Sequence, residues 1–103
     1  MLFIETPIFT KLVTDLISDD EYRKIQLALV LRPEAGKIIP GSGGLRKIRW
    51  KSSGKRGGLR LIYFWDVQED RIYMLLIYKK AKQKDLNPNQ LKILRNLVKE
   101  LLK

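Results

Sequence analysis

Residues 45–80 read LRKIRW, KSSGKRGG, LRLIYFW, DVQED and RIYMLLIYKK in succession, and these five pieces decide the fold. In Leu45–Lys51, Ile48 and Trp50 alternate with Lys47, Arg49 and Lys51. Period-two alternation marks a half-buried strand, because successive side chains leave opposite faces. Leu59–Trp65, interrupted only by Arg60, and Ile72–Tyr78 are near-continuous apolar runs, as expected of strands covered on both faces. Gly54–Gly58 supplies a hairpin tip, and Asp66–Asp70 a second turn.

Working outward, Leu2–Glu5 is a short apolar run that reads as a strand. Thr6-Pro7 reads as a helix N-cap followed by proline at the first helical position, where no donor is lost. Ile8, Phe9, Leu12, Val13 and Leu16 follow at helical spacing. Ser18-Asp-Asp-Glu21 has the capping-box form and opens a second helix, with Tyr22, Ile25, Ala28 and Leu29 as its buried stripe. Pro33 disfavours helix at Arg32 and ends it. The stretch from Gly36 to Gly44 reads as a turn-rich loop. Asn87-Pro88-Asn-Gln90 opens a last helix, with Leu91, Leu94, Val98, Leu101 and Leu102 on one side. The order β-α-α-β-β-β-α predicts an α+β fold: a small antiparallel sheet with two N-terminal helices and a C-terminal helix, one domain over 1–103.

The charge is unevenly spread. The net charge is +10, and residues 1–36 contribute −2 of it while residues 37–103 contribute +12. Seven cations lie between Arg46 and Arg60 with no anion among them, and four more between Lys79 and Lys84. If the three strands pair, these side chains repel one another on one face and its rim. A polyanion relieves that repulsion, and phosphate backbones do so by exchanging counterions for Lys and Arg. Arg46, Lys51, Lys55, Arg56, Lys79, Lys82 and Lys84 are therefore candidate RNA-binding residues, with Tyr78 as a stacking platform. Trp50 and Tyr63 fit base stacking or an ordinary core position.

Cysteine and histidine are both absent. Thiolate chemistry and the commonest metal ligand and neutral-pH base are thereby excluded, and a metal site is not expected. No basic leader opens the sequence and no apolar stretch approaches 18 residues, so a cytoplasmic protein without membrane contact is expected. RNA cleavage remains chemically open, since the 2′-hydroxyl is an internal nucleophile. An enzyme then has to align it, stabilise the charge on phosphorus and move protons. Arg60 suits the second task through its fork of donors. A lysine crowded by other cations suits the third.

Together, GSGGLRKIRW, GKRGG, LRLIYFW, IYMLLIYKK and DLNPNQ resemble the RelE superfamily, most closely its HigB-type toxins from bacterial toxin–antitoxin modules. The likeness runs over nearly the whole chain. It implies a ribosome-dependent endoribonuclease that enters the A site of the 30S subunit and cuts messenger RNA without a cofactor. It also implies a HigA-like antitoxin with a helix-turn-helix part, through which alone operator DNA would be met. Carried over by position, Lys47 and Arg49 position RNA and assist proton transfer. Arg60 stabilises the phosphate in the transition state, and Lys80 is the basic residue at the end of the last strand. Many members carry a tyrosine just after that strand, where this chain reads Lys84-Asp85-Leu86. The base would then be Lys47, a lysine from 79 to 84, or in part Tyr78. Two other readings fit the basic face: a ParE-like toxin of the same fold acting on gyrase, and an RNA-binding protein that cleaves nothing.

Overall fold

The computed structural model describes residues 1–51 and 58–103. Five strands and three helices follow in the order β1 (Leu2–Glu5), α1 (Pro7–Leu16), α2 (Asp19–Leu31), β2 (Lys37–Ile38), β3 (Arg46–Trp50), β4 (Leu59–Asp66), β5 (Arg71–Lys79) and α3 (Pro88–Leu101). They form one sheet in the order β1-β5-β4-β3-β2.

The α+β class and the element order expected from the sequence hold, with two corrections. The sheet is mixed, because β1 pairs with β5 in parallel while every other pair is antiparallel. Helices α1 and α2 and strands β2 to β4 lie between those partners in sequence, so β1 can return alongside β5 in either direction. Inside the expected loop, Lys37 and Ile38 add a two-residue edge strand against Lys47 and Arg46. Part of the anticipated hairpin tip, residues 54–57, lies outside the described residues.

Local chemistry sets the helix ends. Thr6 Oγ1 accepts from Phe9 N at 3.1 Å and donates to Leu75 O at 3.0 Å, so one buried hydroxyl caps α1 and ties it to β5. Ser18 caps α2 through Glu21 N, and Asn87 and Gln90 form a complete capping box on α3.

Helices α1 and α2 cover one face of the sheet, where Phe9, Val13, Ile25 and Leu29 pack on Leu59, Leu61, Tyr63, Ile72, Met74 and Ile77. Helix α3 lies on the other, where Leu94 and Val98 join Leu45, Ile62, Tyr73 and Leu75. Strands β4 and β5 are therefore sandwiched, which explains their continuous apolar runs. Tyr63 anchors the loop after α2, donating to Pro33 O at 2.7 Å and accepting from Gly36 N at 2.8 Å. A Cβ on Gly36 would lie 2.8 Å from the Tyr63 ring, so only glycine lets the chain pass so close. The register between β4 and β5 slips once: Ile62 pairs with Leu76 and Tyr63 with Met74, leaving Leu75 without a partner. That bulge shifts the alternation of β5, so Tyr73 and Leu75 before it and Leu76 and Tyr78 after it all meet the α3 side.

Candidate functional site

Register brings the cations together on the α3 side. Arg49 pairs with Arg60 and Arg60 with Tyr78, one row across β3, β4 and β5. Lys37 pairs with Lys47 in the next row, two residues away, where Lys47 in turn faces Ile62. Directly opposed residues share a face, so Lys37, Lys47, Arg49, Arg60 and Tyr78 form one patch that runs from β2 to β5 on the α3 side.

Arg60 is the unusual member. It is only 4% exposed, yet its one hydrogen bond among the described residues is a long contact from Nη1 to Leu59 O, 3.4 Å. No carboxylate among the described residues lies within ion-pair distance of it. A guanidinium kept from water without an anion is costly, and the cost falls when an oxyanion docks on its fork. Beside it, the Tyr78 hydroxyl is buried and has no hydrogen-bond partner among the described residues. Burial first, then the charge of Asp85, raises its pKa, while Arg60 lowers it. The phenol therefore stays protonated at neutral pH, a donor rather than a base.

The sequence reading missed Asp85. Its Oδ1 accepts from Lys47 Nζ at 2.7 Å. The Lys47 hydrogen bond and charge hold the carboxyl below its ordinary range, against a small opposing effect of desolvation, and Lys84 and Arg60 add to the lowering. A carboxylate thus occupies the place among the cations that a phosphate would take. Asp85 is the lone acid between Asp70 and Glu100, directly after the lysine run 79–84, and that isolation was the available signal.

The other candidate residues distribute as follows. Arg46 pairs with Tyr63 on the α1/α2 face, and its Nη1 donates to Glu34 O at 3.1 Å and Gly36 O at 2.8 Å. It braces the loop after α2 and stands apart from the patch. Lys79 pairs with Leu59 and so also turns to the α1/α2 side, where it and Lys82 line a cleft with Leu12, Asp15 and Leu16. Lys80 is exposed one residue past β5, its N–H bonded to Gly58 O. Lys51 and Lys84 are exposed at the rim, and Lys55 and Arg56 lie outside the described residues. Tyr63 is fully buried, and Trp50 packs on the α1/α2 core with Nε1 on Glu21 Oε1. Neither is available for stacking on the cationic face. Among the described residues no three His, Cys, Asp or Glu side chains cluster as metal ligands, and no helix is long and apolar enough to cross a membrane.

This mixed five-stranded sheet with helices on both faces is the RelE fold. A mutant of E. coli toxin RelE in the free state matches at a TM-score of 0.62 and 20% identity, covering 81% of this chain and 86% of that one. A chain of the intact E. coli RelBE toxin–antitoxin complex matches at 0.58 and 19%, covering 76% of this chain and 94% of that one. No family model matches the sequence.

Proposed function

We propose that this chain is the toxin of a toxin–antitoxin pair and cuts messenger RNA on the ribosome, in the cytoplasm. The observation that carries this reading is Arg60: a buried guanidinium with no carboxylate within ion-pair distance among the described residues, set between Arg49 and Tyr78 and diagonal to Lys47. Such a group serves a charge that arrives from outside. The fold shared with E. coli RelE supports the toxin class, and the RelBE complex supports a cognate antitoxin, for which a HigA-like helix-turn-helix protein is proposed.

In the proposed reaction, the scissile phosphate lies on Arg60 and Arg49, with Lys80 at the rim. Lys47, released from Asp85 by the incoming RNA, gives its own proton to solvent and, as the neutral amine, takes the proton of the 2′-hydroxyl. The 2′-oxygen forms a bond to phosphorus as the bond to the 5′-oxygen breaks, and Tyr78 returns a proton to the leaving oxygen. The products are a 2′,3′-cyclic phosphate and a 5′-hydroxyl, and no metal is required. Charge stabilisation by one such arginine is worth about 10²–10³ in rate.

The test is expression of the wild-type chain and Arg60→Ala, with transcript ends mapped and growth followed. Cuts within ribosome-bound codons that vanish in Arg60→Ala are expected. Undiminished cutting by Arg60→Ala removes the role given to Arg60, and intact transcripts with an SOS response point to gyrase instead.

A further inference from the structure

Next to the cationic patch lies a cleft of about 360 Å³ walled by Ile39 and Pro40 on one side and Leu86 and Leu91 on the other. Lys37, Lys47 and Asp85 are its polar residues, so it shares Lys47 and Asp85 with the cationic patch. We infer that this cleft is a nucleobase pocket that reads one base of the bound RNA and favours bases carrying an exocyclic amino group. The inference rests on the RNA-cleaving reading above.

Three features select this occupant. Aliphatic walls suit a flat, weakly hydrated ring and disfavour a second phosphate. The volume lies within the roughly 300–1,000 Å³ of small-ligand sites. The group covalently adjacent to a phosphate on Lys47, Arg49 and Arg60 is a nucleoside, whose base can reach a pocket that begins at Lys47.

Selectivity follows from Asp85. Its Oδ2 takes no hydrogen bond among the described residues, and Oδ1 is freed when the incoming RNA draws Lys47 away. An ionised carboxylate only accepts. Adenine, cytosine and guanine each offer an amino group, whereas uracil flanks its single ring N–H with two carbonyl oxygens that repel a carboxylate. One good polar contact of this kind discriminates about tenfold or more.

Cut sites on translating ribosomes would be mapped for the wild-type chain, Asp85→Asn and Ile39→Trp, with melting curves to confirm folding. At one fixed position of the cut codon, uracil should be depleted about tenfold for wild type. Asp85→Asn, whose amide also donates, should admit uracil there, and Ile39→Trp, which narrows the cleft, should flatten the preference. If all three proteins share one base pattern and differ only in rate, the pocket assignment is wrong while the nuclease reading stands. If Asp85→Asn cuts nothing, the pattern of Ile39→Trp alone decides. If wild type cuts nothing on ribosomes, both readings fall.

Discussion

Asp85 reaches across 38 positions of sequence to hold Lys47, Oδ1 to Nζ at 2.7 Å, in the middle of a surface otherwise made of cations. The carboxylate limits the self-repulsion of the empty patch and competes with any phosphate for the same ammonium. In the proposed reaction, RNA binding is therefore a partner exchange at Lys47.

That exchange depends on pH in a defined direction. The Asp85 carboxyl is held below its ordinary value, so its ion pair is present above the unfolded carboxylate range and is lost as pH falls through the lowered value. The pair is largely exposed, so its effect on stability is small. The same protonation frees Lys47, whereas an RNA phosphodiester stays anionic. Binding of a short single-stranded RNA, followed by fluorescence anisotropy from about pH 6 to about pH 3 across the carboxylate range, should tighten more for wild type than for Asp85→Asn. Parallel curves would contradict the exchange.

Arg60 should oppose the stability of the fold. Replacing it by methionine, similar in length and apolar, removes an unpaired buried charge and should stabilise the protein by about 1–3 kcal/mol in urea melts. Cleavage on ribosomes should fall by about 10²–10³ in the same variant. A less stable Arg60→Met would mean that the guanidinium is held by the fold rather than kept for a ligand.

Arg46 and Arg49 lie three positions apart on one strand, on opposite faces of the sheet. Arg49→Ala should lower the salt slope of single-stranded RNA binding by about 0.7, the contribution of one phosphate. Arg46→Ala should leave that slope unchanged and destabilise by about 1–2 kcal/mol, because its carbonyl partners Glu34 and Gly36 lose a donor. Equal slopes for the two variants would undo the division between the faces.

Tyr63 is structural. Tyr63→Phe strips Pro33 O and Gly36 N of their shared partner and should cost about 1–3 kcal/mol by thermal melting, with RNA binding at low temperature unaltered. Weaker binding by a folded Tyr63→Phe would return this residue to the interface.

Helices and long strands were legible because each carries a local signal: Thr6-Pro7, Ser18 with Glu21, Asn87 with Gln90, and the apolar runs of β4 and β5. That Lys47 and Arg49 share a side was legible from strand period, whereas Arg60 joins them only through the register of β3 on β4. Arg46 and Lys79 fall on the other face. Arg46 lies one residue out of phase with Lys47, and charge density along a chain does not distinguish the two faces of a sheet. Strand β2 is only two residues long and is stabilised by its neighbour rather than by its own composition. The direction of β1 depends on a contact across nearly seventy residues, and Asp85 acquires its role only through Lys47. The first leaves no trace in local pattern, and the second leaves only the isolation of Asp85 behind a run of lysines.

The unpaired Leu75 is an inserted residue rather than a rung of the ladder. Without it, Ile62–Leu76 and Tyr63–Met74 would follow one another uninterrupted, and every other side chain of β5 would keep its face, Tyr78 opposite Arg60 included. What the insertion adds is one more apolar side chain on the α3 side, where Leu75 packs with Leu94 and Val98. The bulge therefore serves the seat of the last helix, and the cationic row is indifferent to it.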